Sequence, residues 1–277
     1  MDEAERAEAV RRIARGADPD RSLAALFAPR EARADLFALY AFNAELARVG
    51  ELVSEPGLGA IRLQWWREAI ERAAGGEAAG HPVADAFGAA IARRTLSRGR
   101  ILALIDARSF DVETKRMPDM ASLDAYLDAT AGALFTLAAE ILGAKAEAIE
   151  AAARPAGRAY GLTGLMRALP VHAALGLVFL PEQGLRRHGT SQFEVLAGRT
   201  SAGLERLLAE LRASACESLA EARAEIARLD PTARGAFIPL SLVGPYLSTL
   251  KKVGRDPLRE IADINPLYRL WRLARAN

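Results

Sequence analysis

Apolar residues recur every three or four positions along almost the whole chain, and the strict alternation that marks half-buried strands is nearly absent. The pattern predicts an all-α protein. Asp18-Pro19 reads as a helix start, with a capping aspartate and a proline at the first helical position, and the helix runs through Phe27. Pro29 opens the next helix, over about 30–54, where Leu36, Leu39, Tyr40, Asn43, Leu46 and Ala47 share one stripe before Pro56-Gly57 ends it. Further helices are predicted over about 58–74, 82–95, 98–113, 121–142 and 145–168. A turn is expected from Pro170 to Pro181, then a long helix over about 200–229, then shorter pieces broken at Pro231, Pro239, Pro245 and Pro257 and a last helix after Pro266. No internal repeat or low-complexity linker intervenes. Long helices joined by short turns predict one bundle with a shared interior over residues 1–277.

Composition adjusts this picture. Apolar residues make up 51% of the 277-residue chain, enough for a sizeable core, but aromatics only 6%, so that core rests on Ala, Leu, Ile and Val. A net charge of +2 with acids and bases interleaved gives no reason to expect nucleic acid as a partner. Cys216 is the single cysteine, which excludes an intrachain disulfide and a cysteine-rich zinc site, and its Ala/Glu/Arg-rich surroundings favour a packed small residue over a catalytic thiol. The acidic start, Met1 to Arg6, resembles neither a secretory signal nor a transit peptide. No apolar run approaches the ~18 residues of a spanning helix. The expectation is a soluble or peripheral protein of a bacterial cytoplasm, at most resting on the inner face of the membrane.

Several short segments, in this order, carry a resemblance. They are Ala38-Leu39-Tyr40-Ala41-Phe42, Trp65-Trp66-Arg67, Tyr126 with Thr130-Ala131-Gly132, and Arg167 followed by Val178-Phe179-Leu180-Pro181. Together they resemble the squalene/phytoene synthase family. The resemblance implies the isoprenoid-synthase fold, a helical bundle around a central cavity. It also implies Mg²⁺ held by two Asp-rich motifs on facing helices, bridging to a prenyl diphosphate and stabilising the departing pyrophosphate. This chain departs from the family at both motifs. The first pair of aspartates falls on Ala47 and Glu51, the second on Ala168 and His172, and no Asp or Glu occurs from Ala151 to Pro181. Imidazole is a poor ligand for hard Mg²⁺. Arg167 survives beside the missing acid and retains a charge for an anionic head group.

Phe42-Asn43-Ala44-Glu45-Leu46-Ala47, Val53-Ser54, Gly59 with Arg62-Leu63-Gln64-Trp65-Trp66, and Leu165 through His172 resemble the family's non-catalytic branch more closely. That branch includes the mitochondrial complex I assembly factor related to phytoene synthase. No cofactor is expected on this reading, and Mg²⁺ only on the transferase alternative.

Other groups admit two readings each. Glu51 and Glu55, four apart, form either a displaced metal pair or a solvated helix end. Asp124 and Asp128 repeat the same spacing, but Ser122 makes a plausible cap that sets Asp124 in a first turn, where acids favour the dipole. His172 is either hydrogen-bonded structure or a functional group, while His81 and His188 read as loop or surface. Arg33, Tyr40, Asn43, Trp66, Arg67 and Arg167 complete the ligand-site candidates, with Trp66 favoured as core and Arg33 and Arg67 open to a solvated reading. The basic amphipathic segment Pro266–Arg275, with Arg269, Arg272 and Arg275 three apart, either lies on an anionic membrane or packs with its arginines solvated. Two functions follow. One is a catalytically degenerate protein that binds an isoprenoid or lipid or assists respiratory complex I assembly through its subunits or other assembly proteins. The other is a Mg-dependent transferase joining two prenyl diphosphates head to head.

Overall fold

The stripes read from the sequence become helices that share one interior. The structure is a computed structural model that describes residues 3–52, 55–113, 116–252 and 254–276. Among them the only extended pairing is a single parallel bridge between Arg116 and Val178. The chain opens with α1 (Glu3–Ala17), α2 (Pro19–Ala24) with a 3₁₀ turn at Ala25–Phe27, and α3 (Arg30–Leu52). Next come α4 (Pro56–Ala74), α5 (Pro82–Arg94), α6 (Arg98–Ala107), α7 (Ser109–Glu113) and α8 (Met120–Leu127), then a π turn at Asp128–Gly132 and α9 (Ala133–Ile141). The longest helix, α10 (Ala146–Ala174), is followed by α11 (Glu182–Arg187), α12 (Gln192–Leu196) and α13 (Ala202–Ile226). The chain closes with α14 (Pro231–Arg234), a 3₁₀ segment at Gly235–Leu242, α15 (Val243–Leu250) and α16 (Pro266–Ala276).

A single large core runs through these helices, with Phe42 stacked on Phe87 at 4.6 Å and edge-on to Trp66 at 5.6 Å. A smaller cluster of Ala24, Ile238, Leu242, Tyr246 and Leu273 ties α2 and α15 to α16. α10 lies along α13 and also meets the π turn and α9.

The helix boundaries differ from the sequence pattern at informative points. α1 was not anticipated in the charged N-terminus, yet Val10 and Ala14, four apart, are buried as the helix packs on α3 and α5. The stretch 98–113 divides at Arg108, where the Ser109 hydroxyl donates to the Asp106 carbonyl at 2.7 Å. The stretch 121–142 carries the π turn. Here α10 comes so close that a Cβ on Gly157 would stand 2.4 Å from the Gly132 backbone. Asp119, not Ser122, caps α8, its Oδ1 accepting from the Ser122 amide at 2.8 Å.

The largest correction is α10. It passes through both Pro155 and Pro170 and ends only at Ala174. Each proline removes a backbone hydrogen bond, but burial of Ala152, Ala156, Ala159, Leu162, Met166 and Leu169 on one face outweighs that loss. Gly176, at φ +75°, then stops the helix, with the Leu177 amide donating to the His172 carbonyl at 2.8 Å and the Gly176 amide to Ala173 at 3.1 Å. Cys216, expected to be packed, is exposed on α13.

Candidate functional site

Two buried polar networks occupy the regions to which the motif residues point. The first spans α3, α7, α8 and the α6–α7 junction and is centred on Arg108. Arg108 donates through Nη2 to Asn43 Oδ1 at 2.8 Å, and through Nη1 to Tyr126 Oη at 2.9 Å and Asp111 Oδ2 at 3.1 Å. Tyr126 Oη in turn donates to Asp111 Oδ1 at 2.9 Å. The Arg108 and Asp111 side chains are only 11% and 6% exposed, so both charges are interior. Burial pushes the Asp111 carboxyl above its usual range, against the pull of Arg108 and of the Tyr126 hydrogen bond. Arg108 Nε is buried with no partner among the described residues. Phe110 and Phe179 flank Tyr126 at 5.5 and 5.6 Å.

His172 joins this network from α10. Its ring contacts Phe179 at 4.8 Å. Burial, and secondarily the charge of Arg108, holds its pKa down at about 4, so the imidazole is neutral near pH 7. Neither Arg108 nor Asp111 was among the sequence candidates. A signal did exist: Ile101, Leu104, Ile105, Arg108 and Val112 fall at helical spacing, which puts a cation on an apolar stripe.

The second network is centred on Asp20 of α2, only 5% exposed. Tyr246 Oη donates to both of its oxygens at 2.8 and 3.0 Å, Arg269 Nε lies 2.9 Å from Oδ1, and Arg167 Nη1 lies 3.4 Å from Oδ2. The Arg167 guanidinium sits 3.5 Å over the Tyr246 ring and donates through Nε to the Ala262 carbonyl at 3.0 Å. Burial and the neighbouring Asp18 push the Asp20 carboxyl up, against Tyr246 and the two arginines. Beside it, Arg21 is buried against the Tyr160 ring at 4.2 Å and paired with Asp18 at 2.9 Å. Tyr40 is buried in the field of this pair, and desolvation carries its phenol well above its ordinary value.

The remaining candidates lie apart from these networks. Arg33 donates to the Ala28 carbonyl at 2.9 Å, and Arg67 pairs with Asp106. Trp66 is core, edge-on to Phe42, Trp65 and His81. His81 sits in the loop as the extended residue before α5, with its ring against both tryptophans. Glu55 is exposed at the start of α4, and the side chain of Glu51, like Val53 and Ser54, lies outside the described residues. Ala47 and Ala168 are half-buried on α3 and α10. Asp124 pairs with Arg158 at 2.7 Å, and His188 Nε2 meets Glu210 Oε1 at 2.8 Å. In α16 the arginines are not all solvated. Arg269 belongs to the Asp20 network, and Arg272 donates to the Ser241 carbonyl at 2.8 and 3.2 Å.

The donor set of α10 does not fit Mg²⁺. On α10 the two motif positions supply a methyl group and a neutral imidazole, and an interior guanidinium acts on that imidazole. A hard divalent cation needs several oxygens and is repelled by such a charge. Among the described residues no group of three His, Cys, Asp or Glu side chains is arranged to hold a metal.

An all-α bundle with α3 and α10 bearing the family's motif positions has the isoprenoid-synthase architecture. The structure of squalene synthase HpnC from Alicyclobacillus acidocaldarius matches with a TM-score of 0.77 at 23% identity, over 92% of this chain and 95% of that one. A dehydrosqualene synthase crystallised with a ligand matches with a TM-score of 0.81 at 17% identity, over 99% and 95%. The family model described as squalene/phytoene synthase matches residues 14–272, and the chain belongs to that family. "NADH dehydrogenase (ubiquinone) complex I, assembly factor 6" of Rattus norvegicus is 31% identical over 244 residues, 88% of this chain and 73% of that protein. The Homo sapiens protein of the same name is 29% identical over 260 residues, 92% and 78% of the two chains. Phytoene synthase of Thermus thermophilus is 28% identical over 273 residues, 97% and 91%.

Proposed function

We propose that this chain assists the assembly of respiratory complex I and does not condense prenyl diphosphates. One observation carries the reading. Where α10 would have to present carboxylates to Mg²⁺ it presents Ala168 and His172, and the buried cation Arg108 bears on that histidine. A diphosphate has no metal there to stabilise its departure. The likeness to the rat and human assembly factors, over most of this chain, supports the same reading.

The lipid side of the proposal draws its support from α16 rather than from the bundle centre. Leu267, Tyr268, Leu270 and Trp271 are exposed there, while Leu273 is buried and Arg269 and Arg272 are tied inward. We read this helix as a peripheral contact with a bilayer. No helix among the described residues is long and apolar enough to cross one.

Two experiments test the function. Deleting the gene is expected to lower assembled, active NADH:quinone oxidoreductase, and a normal level in the deletion strain would overturn the assembly role. Purified protein incubated with farnesyl or geranylgeranyl diphosphate and Mg²⁺ is expected to give no squalene- or phytoene-length product. Product above background would restore the transferase reading.

A further inference from the structure

Outside both networks, a cavity of about 260 Å³ opens between the back of α10, α13 and the segment after α15. Its floor is apolar, from Met166, Leu208 and Leu250. Its walls carry four cations, Arg212 from α13 and Lys251, Lys252 and Arg255 from the segment after α15, against one lining acid, Glu205.

The cations that line this cavity outnumber its lining acids. Among the described residues the side chains of Arg212, Lys251 and Lys252 make no hydrogen bond or ion pair, Glu205 acts on Arg212 only through its field, and Arg255 donates through Nη2 to the Glu260 carbonyl. The two nearby acids of the following turn are already engaged. Asp256 Oδ1 accepts from Thr200 Oγ1 at 2.7 Å and from the Leu258 amide at 2.9 Å, and its Oδ2 faces Arg259 at 3.4 Å. Glu260 Oε1 accepts from the Asp256 amide at 3.2 Å. Partial burial is the largest influence on both guanidinium groups and weakens their hold on their protons; Cys216 and Glu205 oppose it at Arg212, and Glu260 and Asp256 oppose it at Arg255, where the charge of Arg212 adds to it. Two partly dehydrated guanidinium groups within each other's field, with two lysines at the rim, form a fork for an oxyanion that bridges them.

We propose that this cavity binds a phosphate-bearing anion, its oxygens held between Arg212 and Arg255 with Lys251 and Lys252 at the mouth. The apolar floor accommodates a short hydrocarbon portion beneath the charged group. Free phosphate and a phospholipid head group present the same chemistry, and the experiment separates them.

Wild-type protein, Arg212→Gln and Arg255→Gln are titrated with inorganic phosphate in phosphate-free buffer by calorimetry. The same proteins are then floated with vesicles of phosphatidylglycerol in phosphatidylcholine. Arg212→Lys keeps the charge and serves as the folding control, with circular dichroism on every variant. Saturable phosphate binding that weakens at least tenfold in both glutamine variants supports the site with a free anion as ligand. Vesicle binding that falls at least tenfold in the same variants, without phosphate binding, supports it with a head group as ligand. Leu270→Glu, on the exposed face of α16, is expected to lower flotation without moving the phosphate titration, because it lies outside the cavity. Binding of neither probe, or binding unchanged in folded Arg212→Gln and Arg255→Gln, overturns the proposal.

Discussion

The Arg108 and Asp20 networks solve the same electrostatic problem in different ways. Around Arg108 both charged partners are interior, and the pair is completed by an amide and a phenol from two other helices. Around Asp20 the acid and Arg269 are interior, at 5% and 11% exposed, but the second arginine is more open. That partner, Arg167, is 23% exposed, and Arg269 reaches Asp263, itself 58% exposed at its side chain. When a partner is removed, the second network can rehydrate Arg167 and leave Arg269 paired with the exposed Asp263, whereas the first cannot rehydrate Asp111. The cost of isolating a buried charge depends on that difference more than on the number of hydrogen bonds.

The largest expected effect tests this directly. Arg108→Met leaves Asp111 ionisable, buried and unpaired, and is expected to lower unfolding free energy by about 3–5 kcal/mol in a urea titration. Arg108→Met combined with Asp111→Leu should recover most of that loss, because the isolated charge is gone. If the double variant is as unstable as the single one, the network is not a charge pair in the sense argued.

Next comes the pH dependence of His172. Its folded pKa of about 4 lies below its ordinary value of 6.5, so the unfolded chain binds more protons as pH falls through that interval. The contribution is complete above pH 6.5 and is lost progressively towards pH 4. The difference in stability between wild type and His172→Asn should change over this window by roughly 3 kcal/mol. A difference independent of pH would mean that the imidazole is not held neutral beside Arg108.

Asp20→Asn sharpens the comparison from the other side. The amide still accepts from Tyr246, and Arg167 and Arg269 can turn to water and Asp263, so about 1–3 kcal/mol is expected. A loss equal to that of Arg108→Met would erase the distinction between the networks. The smallest effect is Arg272→Ala, which removes the hydrogen bonds to the Ser241 carbonyl and is expected to cost about 0.5–1.5 kcal/mol. Faster amide exchange confined to residues 266–276 would mark local release of α16. Unchanged exchange there would show that Leu273 and the contacts of Arg269 hold the helix without Arg272.

Much of the architecture was legible before the structure. Pro29, Pro82 and Pro266 marked real helix starts, and the stripe through Leu36, Leu39 and Tyr40 is buried as its spacing required. The site was legible only in part. Asn43, Tyr126, Arg167 and His172 were anticipated as ligand or motif residues and belong to the two networks. Arg33, Trp66 and Arg67 are engaged elsewhere. Arg108, Asp111, Asp20, Tyr246 and Arg269 were missed. A buried charge is invisible to periodicity unless it interrupts an apolar stripe, as Arg108 does, and its partners lie on helices remote in the chain.

The sequence alone determined the helical class, the family and the absence of acids from residues 151–181, because each of these is a local property of residue order. Only the tertiary structure decided that α10 continues through Pro170, since the burial that offsets the lost hydrogen bond comes largely from α13 and other distant helices. It also decided which charges meet. Asn43, Arg108 and Tyr126 are brought together by packing, and in a dry interior a few ångströms determine whether a charge is paired or stranded.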